Sequence, residues 1–178
     1  FAELWGWAAG RPARRWLAGA FAAVAFGLPL AVRGALPVPF MFGSFADAWR
    51  HPYSTVGLYL RTHARPGDTL AMWGWFPQAF VESALPQATR EALTELQIRP
   101  WPQRDSYYRP RYLADFERSQ PAFFVDAVGP GAFGFPNRTG EAHEQFPAFD
   151  AYLRSHYRLA EDTGQCRIYL RLDRAAPR

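Results

Sequence analysis

The chain has no lysine. All 20 of its basic side chains are arginine, dispersed along 178 residues against 16 acidic ones. Proteins that track a phosphate backbone gather their cations on a stripe or face, so a dispersed excess of +4 excludes a nucleic-acid reading and looks like GC-rich coding bias. A pI near 9.6 is also unremarkable for a domain held close to anionic headgroups. A single cysteine, Cys166, excludes a disulfide framework. It lies in Cys166-Arg167-Ile168-Tyr169-Leu170-Arg171-Leu172, where strict alternation puts Cys166, Ile168, Leu170 and Leu172 on one strand face, so the thiol reads as a small core hydrophobe. Nothing in the sequence spells a P-loop, a nucleophile elbow or a zinc-ligand spacing. His51, His63, His143 and His156 are far apart, and Glu141-Ala142-His143-Glu144 is not H-E-x-x-H, so no metal ligand is expected. Gly129-Pro130-Gly131-Ala132-Phe133-Gly134 matches G-x-G-x-x-G, but Pro130 occupies the turn and loop residues follow where a helix should open, so the match is coincidental and no cofactor is expected. Asn137-Arg138-Thr139 fits the glycosylation pattern, which is too short to inform.

What the chain does have is an uncharged run from Trp16 to Val32, fenced by Arg11, Arg14 and Arg15 before it and Arg33 after it. About 17 helical residues span roughly 25 Å, just short of a hydrocarbon core. The run predicts a transmembrane helix over 16–33, with a buried core helix as the bland alternative. The arginine surplus places the N-terminal side in the cytoplasm and everything beyond Arg33 outside. Residues 1–15 then read as the end of a preceding span and a short cytoplasmic loop. Residues 34–51, rich in aromatics and proline, suit an interfacial linker.

Residues 52–174 predict one extracytoplasmic α/β domain. A helix opens at Pro52 with Val56, Tyr59 and Leu60 on one face, and Arg65-Pro66-Gly67-Asp68 marks a turn. The apolar runs Thr69–Trp73 and Pro121–Val128 predict two buried strands. Helices are expected over Gln78–Ala84, Tyr112–Ser119 and Pro147–Tyr157, and a long loop over Arg99–Arg111. Tyr157–Ala160 and Cys166–Leu172 predict a hairpin turning at Asp162-Thr163-Gly164. The sum is a layered, Rossmann-like sheet, partly parallel and closed by a C-terminal hairpin.

Ligands of open α/β sheets gather beyond the carboxyl ends of the strands. Trp73-Gly74-Trp75 ends the first predicted strand, so Trp73 and Trp75 are candidates to stack on a sugar or cover a lipid phosphate; packing within the core is the plainer role for such rings. Gly74 admits a ligand or another backbone at close range. Asp126, near the end of the second strand, could orient a hydroxyl or pair with Arg90 or Arg138, and Arg90 could meet a phosphate or form a surface ion pair. No second acid stands at a spacing that makes an acid pair, so no catalytic residue is assigned.

The order of these elements resembles a known family. The carriers are Tyr59-Leu60-Arg61-Thr62-His63, Pro66-Gly67-Asp68-Thr69, Trp73-Gly74-Trp75, Thr89-Arg90, the Pro121 strand, and the closing Tyr157-Arg158-Leu159 to Ile168-Tyr169-Leu170-Arg171 hairpin. From Trp16 to Asp173 the chain resembles the C-terminal extracytoplasmic domain of bacterial polytopic glycosyltransferases of the GT-C architecture, relatives of protein O-mannosyltransferases and aminoarabinose transferases. The resemblance implies a bacterial inner-membrane protein with this domain on the periplasmic or extracellular side. It implies a sugar moved from a polyprenyl-phosphate donor to a lipid, glycan or protein acceptor. The family's catalytic acid belongs to the first extracytoplasmic loop of the membrane portion, so this segment is expected to be non-catalytic, with the bilayer and the donor's site in that portion as its partners. A membrane-tethered ligand-binding or assembly domain is the alternative.

Overall fold

A computed structural model describes residues 53–175. The expected transmembrane helix and interfacial linker lie outside the described residues, and among those described no helix is long and apolar enough to cross a membrane. The elements in chain order are α1 (Thr55–His63), β1 (Leu70–Gly74), α2 (Gln78–Ser83), α3 (Glu95–Ile98), a π-helical turn (Arg104–Tyr108), α4 (Arg109–Ser119), β2 (Phe123–Ala127), α5 (Arg138–Glu141), a 3-10 turn (His143–Gln145), α6 (Pro147–His156), β3 (Tyr157–Asp162), β4 (Arg167–Arg171) and α7 (Leu172–Ala175).

The architecture is mixed α/β around a four-stranded sheet of order β1-β2-β4-β3. β1 and β2 run parallel, while β4 is antiparallel to both of its neighbours. β1 and β2 are buried along their whole length, the expected state for unbroken apolar runs covered on both faces. On one face, Leu70, Met72, Phe123, Val125, Ile168 and Leu170 pack with Val56 and Leu60 of α1 and Ala79 of α2. On the other, Ala71, Trp73 and Phe124 pack with Tyr112 and Phe116 of α4 and Phe149 and Leu153 of α6.

Local chemistry explains the boundaries. α1 begins three residues later than Pro52 suggested because Ser54 caps it, its hydroxyl accepting from the Gly57 N–H at 3.0 Å. The same residue donates through its backbone N–H and its hydroxyl to Glu82 of α2, at 2.9 and 2.5 Å, tying the two helices of that face together. The turn at Arg65–Asp68 forms as expected, closed by Asp68 N–H to Arg65 carbonyl at 3.0 Å. The stretch Arg99–Arg111 differs from expectation: it holds the π-helical turn and the first residues of α4, where Pro110 sits in the opening turn and needs no amide partner. Cys166, Ile168 and Leu170 are buried on one face as the alternation required. Leu172 departs from it, nearly half exposed where α7 begins. Burial pushes the Cys166 thiol up to about 12, the setting of an inert core residue.

Candidate functional site

The loops that follow β1 and β2 meet at the carboxyl ends of these strands. Gly74 ends β1 with φ of +99°, and a Cβ there would lie 2.6 Å from the Ala127 carbonyl oxygen of β2. The residue is glycine on two independent grounds, and the close approach it permits is that of another backbone. Thr94, buried just before α3, caps the same strand end, accepting from the Gly74 N–H at 2.6 Å. Beyond this point the loops present aromatic rings. Trp75 stands edge-on to Phe133 at 5.4 Å between centroids, and Phe133 is 69% exposed. Arg99 reaches across to the same loop: its guanidinium donates to the Gly134 carbonyl at 2.9 Å and lies 4.8 Å above the Phe135 ring. Two residues on, Trp101 is half exposed and forms, with Leu96, Pro102, Gln103 and Tyr108, an open cavity of about 220 Å³. The exposed Gln103 amide has no protein partner among the described residues, so the cavity combines ring faces with an unused donor and acceptor. Its volume falls below the ~300–1,000 Å³ of drug-sized sites, which suits one sugar ring rather than a polyprenyl chain.

Beneath this aromatic rim lies a buried charge cluster on the aromatic face of the sheet. Cross-strand register sets Trp73, Asp126, Arg167 and Asp162 in one lateral row over β1, β2, β4 and β3. Asp126 is completely buried. Its Oδ2 receives Arg138 Nη1 at 3.1 Å and lies 2.8 Å from His143 Nδ1. Glu144 stands beside them, its Oε2 3.4 Å from His143 Nδ1 and its Oε1 accepting from Arg167 at 2.8 Å. Arg167 continues to Asp162 at 3.2 Å, and His143 Nε2 lies 3.7 Å from Asp150. Burial would raise the Glu144 carboxyl, yet the charge on His143, its own backbone N–H, Arg167 and Arg138 together hold it below the usual glutamate range. For Asp162 the Gly164 N–H is the leading cause of a lowered value, with Arg167 adding to it.

The four residues singled out in the sequence do not come together in one site. Trp73 is fully buried. Its indole N–H donates to the Glu141 carbonyl at 2.8 Å, and its rings stack on Phe149 and meet Tyr112 edge-on, so it packs the core and presents no face to a ligand. Trp75 is partly buried, packed against the aromatic core with its ring edge-on to the exposed Phe133. Asp126 is the register partner of Trp73, as their positions near the strand ends suggested, but no surface of it faces outward; of its two expected partners it takes Arg138. Arg90 is mostly exposed and pairs with the buried Asp115 of α4 at 3.3 Å, the ion-pair role rather than a phosphate site. The G-x-G-x-x-G stretch is loop, as expected, and leads only to the four-residue α5. Sequence reasoning missed Trp101, Phe133, His143 and Glu144. Trp101 and Phe133 carried one available signal, being large rings inside proline- and glycine-rich stretches, where core residues are uncommon.

A larger cavity, about 290 Å³, lies away from these loops, among Gln120, Tyr152, Ser155, His156, Arg171 and Asp173. Its polar groups serve one another: Arg171 binds Asp173 and the Gln120 carbonyl, and the Ser155 hydroxyl and His156 Nδ1 lie 2.8 Å apart. Little remains there to recognise a ligand, so the rim at the strand ends is the better candidate.

Compared with known proteins, the chain has no match: no family model, no curated protein and no solved structure is similar to it.

Proposed function

We propose that this chain is the C-terminal, non-catalytic extracytoplasmic part of a bacterial membrane glycosyltransferase, one that moves a sugar from a polyprenyl-phosphate donor to a lipid, glycan or protein acceptor. In this reading, residues 16–33 cross the inner membrane and the α/β domain, Rossmann-like in its layering, stands on the periplasmic or extracellular side. The observation that carries the proposal is the pair of exposed rings Phe133 and Trp101, with the partly buried Trp75 edge-on to Phe133 at the end of β1 and a sugar-sized cavity beside Trp101. Ring faces next to an unused amide suit a pyranose, whose C–H face stacks while its hydroxyls hydrogen-bond. The resemblance of the sequence's element order to that of GT-C enzymes points the same way. So does the burial of Asp126, which turns the acid of the strand end toward Arg138 and His143 and away from any substrate.

The test is made on the complete parent enzyme. Trimming the polypeptide after Arg33 is expected to abolish turnover of a polyprenyl-phospho-sugar, and Trp101→Ala to raise the acceptor KM with little effect on folding. Unaltered turnover after trimming rules out a required role for the domain. The rim equally suits a membrane-tethered ligand-binding domain. Saturable quenching of tryptophan fluorescence by free monosaccharides, together with unchanged transfer activity in the trimmed parent, would select that alternative.

A further inference from the structure

We propose that Asp126, His143 and Glu144 form a binding site for one divalent transition-metal ion of the zinc or manganese type. One ligand atom from each residue lies within 4.8 Å of the others. Two ligands each ~2.1 Å from a shared ion are about 3.0 Å apart at an octahedral angle and about 3.4 Å apart at a tetrahedral one. The His143 Nδ1 distances, 2.8 Å to Asp126 Oδ2 and 3.4 Å to Glu144 Oε2, sit close to these two values.

A second observation is independent of that spacing. Asp126 is wholly buried, yet its Oδ1 has no hydrogen-bond partner, and the buried Glu144 Oε2, turned toward the imidazole, has none either. Carboxylate oxygens are costly to desolvate, and leaving two of them unmatched in one cluster is unusual unless something else meets them. The surrounding charge agrees. Asp126, Glu144, Asp150 and Asp162 bring four carboxylates against the guanidiniums of Arg138, Arg154 and Arg167, an excess of one negative charge.

Arg167 holds Glu144 through Oε1, the oxygen not turned toward the imidazole, as supporting groups that orient ligands in metal sites do, while Arg138 shares Asp126 Oδ2 with the imidazole and leaves Oδ1 open to an ion. One imidazole nitrogen with two carboxylates is a donor set for zinc or manganese; calcium and magnesium prefer oxygen alone. Glu144 is the one partly exposed member, about one-third exposed on its side chain, and the coordination positions that the three residues do not fill go to water. The simpler arrangement is His143 donating an Nδ1–H to Asp126, which needs no ion.

Calorimetry of the full chain in mild detergent, stripped with chelator and dialysed, separates the two. Titration with zinc chloride and with manganese chloride is expected to give one site per chain. At a hundredfold excess over Kd, the ion is expected to raise Tm by roughly 5–10 °C. Glu144→Gln, a change at a partly exposed position that leaves the core intact, is expected to weaken binding at least tenfold and remove the Tm shift. No heat and no Tm shift with either ion overturns the proposal in favour of the direct His143–Asp126 hydrogen bond. Binding that Glu144→Gln leaves unchanged overturns it too, placing the ion elsewhere, for example on the exposed His63 or His156.

Discussion

The two faces of the sheet are built from different materials. The side covered by α1 and α2 is mostly aliphatic, with Leu60, Leu70, Met72, Val125 and Ile168 at its centre. The side covered by α4 and α6 is mostly aromatic and holds nearly every buried ring with a polar atom. Trp73 donates to Glu141, Tyr112 donates to the Met72 carbonyl at 2.7 Å, and Tyr157 to the Pro121 carbonyl at 2.7 Å. Burial keeps the Tyr112 and Tyr157 hydroxyls protonated far beyond the ordinary range, so both remain donors at any working pH. Aliphatic packing specifies volume; a ring with one polar atom also specifies which backbone group it must meet. The long loops after β1 and β2, which carry the rim, are therefore tied down on the aromatic side, while the aliphatic side supplies burial.

Substitutions can break that comparison. The largest effect is expected for Asp126→Ala, which strands Arg138 and His143 in a buried setting and is expected to cost about 3–5 kcal/mol in urea unfolding. An aliphatic-face truncation such as Leu60→Ala is expected to cost about 2–5 kcal/mol through lost transfer energy and a cavity. Gly74→Ala combines an unfavourable φ with a clash against the Ala127 carbonyl and is expected to cost at least about 1–3 kcal/mol, with loss of the paired strand ends in hydrogen exchange. Tyr112→Phe keeps the ring and removes one buried donor, with an expected loss of about 1–2 kcal/mol, against about 0.5–1.5 kcal/mol for Ile168→Val on the opposite face. The smallest effect belongs to the rim: Phe133→Ala is expected to shift stability by less than about 0.5 kcal/mol, so any change it makes in sugar-dependent fluorescence reports binding alone.

The same contrast governs what could be read in the sequence. Strands β1 and β2, the closing hairpin and helices α2, α4 and α6 follow from apolar runs, alternation and proline-marked starts, which act over a few neighbouring residues. Trp73 and Asp126 each read as lying near the end of a buried strand, and because β1 and β2 are neighbours the two are register partners. The cluster around Asp126 was illegible because its members come from six separate elements, with Asp150 on α6 and Asp162 on β3 among them. His143 and Glu144 arrive on a 3-10 turn, Arg138 on α5 and Arg167 on β4, and no periodicity links them. His143 lies 17 residues from Asp126 and on a different element, so sequence spacing alone does not show that the fold brings the two together. The π-helical turn within Arg99–Arg111 was hidden for another reason: arginine, proline and tyrosine favour no regular element strongly enough to outweigh the tertiary contacts that decide it.

Strand order carries a consequence for how the molecule comes into being. β4 is the last of the four strands to leave the ribosome, yet it occupies an interior place, between β2 and β3. Until it arrives, the hydrogen-bonding groups along one side of β2 have no neighbour, and β3 has no sheet to join. Assembly must wait for nearly the whole domain to be synthesised and then close over long sequence separations, a slow route that leaves a sticky strand border exposed in the meantime. A nascent chain stalled before Arg167 should therefore be a client for chaperones, and release of the final hairpin should complete the sheet in a single cooperative event.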